Sequence, residues 1–278
     1  MTSTQHHHHH HAPDGQAEIL DLDAEVLAEQ RASITAWLPV RSAPRRIVDL
    51  GAGTGAGTFA LLERFPDAHV TAVDSSVDHL QRVREKACRA GVGDRVETVQ
   101  ADLDAEWPDL GTPDLVWASA SLHHVADPDR ALGEIRRLLA PGGLLAVVEL
   151  AGLPRFLPDD APADGPGLEA RCHAAADRRA AEHMPHRGAD WGAVLTAAGY
   201  TLDGQRTVAV DEERPGSAAV GRYALLVLQR LRQAIGGELH ADDHAALDDL
   251  LDIDGPRSIL RRDDLVVRTD RTVWAARP

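Results

Sequence analysis

Between Arg46 and Glu149, short apolar runs alternate with stretches in which apolar residues return every third or fourth position. Uninterrupted apolar runs suit strands buried on both faces, and the wider spacing suits amphipathic helices. The pattern predicts strands over Arg46–Leu50, His69–Asp74, Val96–Gln100, Leu115–Ser119 and Leu144–Glu149. Helices are predicted over Gly55–Phe65, over Val77–Ala90 with Gly91 closing it, and over Asp129–Leu138 with Pro141-Gly142-Gly143 stopping it. Strand and helix in alternation make an α/β protein with a parallel sheet covered on both faces.

Ahead of the first strand, Val26, Leu27, Ile34, Trp37 and Leu38 mark an amphipathic helix over about Asp23–Leu38, ended by Pro39. Past Glu149 the rhythm changes. Residues 152–167 are rich in Pro, Gly and Asp and read as a surface loop. Helices are expected over Leu168–His183 and Asp190–Ala198, along Val220, Tyr223, Val227, Leu231 and Ile235, and more briefly around Leu247, Leu250 and Leu251. Strands are expected near Thr207–Val210 and over Arg271–Arg277. The extra helices carry apolar faces that must bury against something, and the open carboxyl edge of the sheet is the place for a cap.

The 278 residues, 44% of them hydrophobic and 26% charged, suffice for a large core. Lys and Arg number 29 against 44 Asp and Glu, a formal charge of −15, which opposes a phosphate backbone and turns the reading away from nucleic acid. No apolar run has the length of a bilayer span and no secretory leader is seen, so the expectation is a cytoplasmic protein with no membrane partner. Cys88 and Cys172 stand alone, without CxxC spacing, and no metal site is expected. The His6–His11 tract reads as a disordered tail without function, with an affinity tag or a native histidine-rich tail able to hold a metal as the alternatives.

The chemistry starts at Ile47-Val-Asp-Leu-Gly-Ala-Gly-Thr-Gly-Ala-Gly57. Glycine tolerates positive φ and brings no side chain, so this turn lets backbone N–H groups come close to a ligand at the carboxyl end of the first strand. Gly51, Gly53 and Ala56 also satisfy G-x-G-x-x-A, which leaves a dinucleotide open. Three acids narrow the choice: Asp49 inside the first strand's end, Asp74 closing the second, and Asp102 after the third. Carboxylates on successive strand ends suit a cationic nucleoside, and an acid in the place of Asp74 suits two ribose hydroxyls.

Taken in order and spacing, VDLGAGTG, VTAVD, QADL, DLVWASASLHHV and LAPGGLLAVVE resemble the class I S-adenosylmethionine-dependent methyltransferases over about Ala24–Leu150. The resemblance implies a Rossmann-like, doubly wound, mostly parallel seven-stranded sheet with an antiparallel edge strand, supplied by the terminal Val-Trp-Ala-Ala stretch, and with helical cap insertions. It implies S-adenosylmethionine as cofactor: Asp49 and Gly51, Ala52, Gly53, Thr54 and Gly55 beside the methionine part, Asp74 with Ser75 at the ribose, Asp102 and the Leu103 backbone at the adenine, and Ser119 offering a carbonyl to the amine. The domain reading that follows has a tail over 1–15, a helix and cofactor-binding core over 16–150, and cap segments with the last two strands over 151–278.

A histidine with a pKa near neutrality can help remove a proton from an acceptor. His123 and His124, in the loop after the fourth strand, are therefore the catalytic candidates, with packing beneath the cofactor as the plainer alternative; His173, His183 and His186 in the cap are weaker ones. The expected activity is methylation of a small molecule at oxygen, nitrogen or an activated carbon. The competing reading is a nicotinamide-dependent oxidoreductase or a noncatalytic nucleotide-binding module. Neither Tyr200 nor Tyr223 has a lysine four residues on, which weighs against the oxidoreductase. A homodimer stays open.

Overall fold

The computed structural model describes residues 13–162, 165–184, 186–235 and 237–278; the His6–His11 tract lies outside them. Five parallel strands form most of one sheet: β1 (Arg46–Leu50), β2 (His69–Asp74), β3 (Val96–Gln100), β4 (Leu115–Ser119) and β5 (Leu144–Leu150). Two longer strands complete it, β6 (Thr201–Glu213) and β7 (Val266–Arg277). The order is β3-β2-β1-β4-β5-β7-β6. β7 runs antiparallel to both β5 and β6, so the antiparallel strand at this side of the sheet is the terminal stretch, with β6 outside it.

Helices cover both faces. α2 (Ala28–Trp37) and α3 (Ala56–Arg64) set Ile34, Leu61 and Leu62 against Ile47, Leu115, Trp117 and Val273. On the opposite face α5 (Pro128–Leu138) and α7 (Trp191–Ala197) set Leu132, Ile135, Trp191 and Leu195 against Val48, Leu50, Val116 and Val147. Each such fully buried apolar side chain contributes roughly 1.5–3 kcal/mol relative to exposure. α4 (Val77–Arg89) starts where the Ser76 hydroxyl accepts from His79 N, and it packs Val83 on Ala72 and Ala52.

A separate apolar cluster forms the cap. α1 (Pro13–Val26), α6 (Leu168–His183), α8 (Ala218–Ile235) and α9 (Ala241–Leu251) join around Leu27, Phe156, Leu168, Cys172, Tyr223, Leu228, Leu231 and Leu250. Its position follows from the strands. β5 stops at Leu150 opposite Arg271, whereas the β6–β7 pairing continues to Glu213 opposite Val266. That ribbon extends past the carboxyl edge of the sheet, and the cluster packs on Val210, Leu265 and Val267 along it.

Three details differ from the sequence expectation. The helix expected over Asp23–Leu38 is two helices, starting at Pro13 and broken at Leu27, because Leu27 enters the cap cluster while Ile34 and Leu38 enter the sheet cluster. α2 and α7, expected in the cap, are layers of the sheet. β6 is much longer than Thr207–Val210, since pairing with β7 organises residues whose side chains are largely exposed.

Candidate functional site

The turn after β1 is built by its glycines. Gly51, Gly53 and Gly55 have φ of +68°, +54° and +93°, the left-handed region in which a side chain is strained. At Gly51 space is decisive as well: a Cβ there would stand 2.4 Å from Ser121 Cβ. The Ser121 hydroxyl donates to Leu50 O at 2.8 Å, which ties the loop after β4 to the end of β1. Ala52 and Thr54 are buried, so the turn offers backbone and not their side chains.

Asp74, at the end of β2, faces this turn. Its Oδ2 accepts from Gly53 N at 2.8 Å; its Oδ1 accepts from Ser76 N at 2.8 Å and lies 3.3 Å from His79 Nδ1. Burial pushes the Asp74 carboxyl up, but the hydrogen bonds from His79, Ser76 and Gly53 outweigh it and hold the group below the ordinary carboxylate range. Asp74 is thus an anion that shapes the turn from across the strand ends. Ser75 follows it, with its carbonyl accepting from Gln100 Nε2.

Asp49 stands elsewhere than expected. It is 2% exposed and points beneath the turn, where Thr58 Oγ1 donates to its Oδ2 at 2.7 Å. Burial, with a further contribution from the charge of Asp74, pushes its pKa up to about 7 despite the Thr58 bond. Gly57 makes room for it: a Cβ at that position would come within 3.0 Å of Asp49 Oδ2 and 2.6 Å of Trp117 Nε1.

Asp102 is exposed just past β3 and caps its own loop by accepting from Asp104 N. The neighbouring Ala101 N donates to Asp74 O, which brings this loop against the end of β2. Leu103 is half-buried, and its carbonyl accepts from Trp107 Nε1 and Arg130. Ser119 ends β4, and Ala120 after it has φ +51°, the one non-glycine residue with positive φ among those described. Such an outlier persists only where its surroundings impose it. Here Ala120 N donates to Val148 O, and Ser121 is locked on β1.

The loop then makes a short 3-10 turn, Leu122–His124. His123 Nδ1 lies 2.6 Å from Glu149 Oε2 at the end of β5, with side chains 10% and 5% exposed. The His123 and His124 rings are 4.1 Å apart between centroids. His124 keeps an exposed edge, yet enclosure by protein, and then the positive charges of His123, Arg230 and Arg187, push its pKa down to about 4. His124 is therefore neutral at pH 7 and a weak base, and among the described residues His123 is the ring of the two with a carboxylate to orient it. His173 is not part of this site: it is buried in α6 beside Glu169. The His183 side chain lies outside the described atoms.

Sequence reasoning missed two elements. Glu149 closes a continuous apolar strand at the carboxyl edge, a signal of the same kind that singled out Asp74. The other is α1, which lies over the glycine turn. Leu20 Cδ1 would be 3.1 Å from a Cβ on Gly53, and Lys86, the chain's sole lysine, bridges Asp21 Oδ1 at 2.5 Å and Thr54 O at 2.9 Å. Among the described residues no group of three or more His, Cys, Asp or Glu could hold a metal ion, and no described helix is long and apolar enough to cross a membrane.

The turn, the acids on successive strand ends and the 3-2-1-4-5-7-6 order meet in one comparison: residues 48–145 match a family model described as a methyltransferase domain. Over these residues the chain is similar to methyltransferases. It is 44% identical over 105 residues to a trans-aconitate 2-methyltransferase of Acidovorax sp. (strain JS42), covering 38% of each chain. It is also 44% identical over 106 residues to a malonyl-[acyl-carrier protein] O-methyltransferase of Halorhodospira halophila, covering 38% of this chain and 35% of that one. The chain thus spans little more than a third of the length of these relatives. A solved methyltransferase of Thiobacillus denitrificans, in complex with S-adenosyl-L-homocysteine, is similar over 89% of this chain and 90% of its own, with a TM-score of 0.50 and 16% identity, a likeness of fold.

Proposed function

We propose that the chain transfers a methyl group from S-adenosylmethionine to a small-molecule acceptor. The observation that carries this reading is the left-handed turn Gly51–Gly55 held against Asp74 at the strand ends. A Cβ on Gly51 or Gly55 would press on Ser121 or Phe59, so the turn keeps its shape only with glycine there, and the family match runs through it. When bound, the cofactor supplies an electrophilic methyl group on a sulfonium.

The rest is work for the chain's own residues. The glycine turn Gly51–Gly55 and the carboxylate of Asp74 hold the nucleoside and methionine parts, with Asp102 and the Leu103 backbone at the base and the Ser119 carbonyl at the amine. Asp49 acts from beneath, by keeping the turn and the start of α3 in register through Thr58. Lys86 and Asp21 fasten α1 over the turn and exclude water from it.

His123 is the base. Glu149 accepts from its Nδ1–H, which leaves the Nε2 lone pair to take a proton from the acceptor atom. The carboxylate fixes the tautomer and stabilises the imidazolium that forms, as in other carboxylate-oriented histidines. A small acceptor fits a protein with net charge −15 and a helical cap over the strand ends.

The test is incubation with methyl-labelled cofactor and a panel of small phenols, carboxylates and amines. Label in a small molecule supports the reading. Label that enters only added tRNA or protein overturns it.

A further inference from the structure

The cap contains a cavity of about 500 Å³ whose walls include none of the residues assigned above to the cofactor or to the base. Its floor is apolar, made by Ala246 and Leu250 of α9 with Pro162 and Pro256 from the loops beside it. Leu250 is part of the cap cluster, and so is Ile259, which pins the segment on the other side of the cavity to the same packed core. A volume of this size lies within the range that encloses a small organic ligand.

Ser258 stands in the wall and is 1% exposed. Its N donates to Gly255 O at 3.3 Å and its O accepts from Arg261 N at 3.0 Å, whereas its Oγ is buried without a hydrogen-bond partner among the described residues. A hydroxyl in that state costs free energy that a ligand atom can recover. Three arginines complete the lining, and no acid is part of it. Arg262 Nε donates to Asp264 Oδ1 at 2.8 Å, and Arg257 Nη1 lies 3.7 Å from Asp249 Oδ2. Arg261, one turn on from Ser258, has no side-chain partner among the described residues. In a chain of net charge −15, a cavity with this lining reverses the sign of its surroundings.

We propose that the cavity binds a small amphipathic carboxylate, with its apolar body against Leu250, Ala246 and the two prolines and its carboxylate on Arg261 and the Ser258 hydroxyl. One guanidinium without an acid matches one negative charge, and its planar fork suits a carboxylate. The lining lies outside the glycine turn, Asp74 and the loop of His123 and His124, so this site is separate from the one that would hold the cofactor, and the proposal does not rest on the methyltransfer reading.

The experiment titrates the full chain calorimetrically with octanoate and 4-phenylbutyrate, each against its neutral amide, and with acetate as an acid that lacks an apolar body. The titrations are repeated in R261Q, R261K, S258A, A246F, which fills the cavity from the half-buried face of α9, and D74A; thermal unfolding confirms that each variant is folded. The wild type is expected to bind one equivalent of acid, about tenfold or more tighter than the amide or acetate. R261Q and A246F lower that affinity about tenfold or more, R261K keeps part of it, S258A loses a smaller part, and D74A leaves it unchanged. Amides that bind as well as the acids, no binding of any acid to the wild type, or an acid affinity equal in wild type and R261Q overturn the proposal. Acid binding that D74A abolishes and A246F leaves intact places the acid in the other site and overturns it as well.

Discussion

His123 Nδ1 and Glu149 Oε2 lie 2.6 Å apart across the ends of two adjacent strands, and both side chains are almost closed to solvent. The other carboxylate oxygen, Glu149 Oε1, is buried with no hydrogen-bond partner among the described residues. A buried carboxylate with one oxygen unpaired is costly unless it serves a partner that arrives later. If the pair is a base and its orienting group, His123→Ala lowers kcat by about 10²-fold or more. Glu149→Gln lowers kcat and changes the pH–rate profile. Both leave S-adenosylhomocysteine affinity within about twofold, since neither residue belongs to the glycine turn. Calorimetry and initial rates measure the two effects separately.

Gly51 is held by two independent constraints, a φ of +68° and a Cβ position 2.4 Å from Ser121 Cβ. An alanine there adds about 1–2 kcal/mol of backbone strain and also drives the β1 turn away from the loop that carries His123. Gly51→Ala is therefore expected to lower thermal stability and to abolish cofactor binding. Gly91→Ala serves as control: φ is +68° there too, with nothing within 4 Å, so strain alone remains and cofactor binding is kept.

Asp49 makes the stability of the free protein depend on pH. Its pKa is about 7 in the folded chain and 3.8 when exposed, so between those values the unfolded chain gives up a proton that the folded one keeps. Stability attributable to this residue is highest below about pH 4, falls as pH rises, and is lowest above pH 7. The full penalty is on the order of 2–4 kcal/mol. Asp49→Asn can still accept from Thr58 and has no charge to desolvate. It is expected to be more stable than wild type at pH 8, with the gap shrinking by pH 5. Urea unfolding at the two pH values measures this; a gap that widens at pH 5 contradicts it.

The strands β1 to β5 were legible to within a residue: β1, β4 and β5, buried on both faces, are written as mainly apolar runs, and the edge strand β3, Val96-Glu-Thr-Val-Gln100, keeps apolar and β-branched residues between polar ones. β6 was not. Thr201-Leu-Asp-Gly-Gln-Arg206 carries exposed polar side chains, and its strand form comes from pairing with β7, a tertiary cause that no local pattern records. The break at Leu27 was hidden because the residues on its two sides keep one helical spacing while serving different cores. In the site, the glycine turn and Asp74 were legible, since conformation and strand-end position are local. The turning of Asp49 under the loop and the pairing of His123 with Glu149 are contacts between elements, and only the fold brings them together.

In the proposed function the turn Gly51–Gly55 and Asp74 hold S-adenosylmethionine. Its most direct test is calorimetric titration of the full chain with S-adenosylhomocysteine, with NAD as comparison and Asp74→Ala as variant. Asp74→Ala removes an acceptor from both the ligand and Gly53 N, which costs roughly 1–3 kcal/mol. Saturable one-to-one binding of S-adenosylhomocysteine, weakened about 5- to 150-fold in Asp74→Ala, with no binding of NAD, is the predicted result. Binding of NAD in its place, or an affinity for S-adenosylhomocysteine that Asp74→Ala leaves unchanged, would contradict the account.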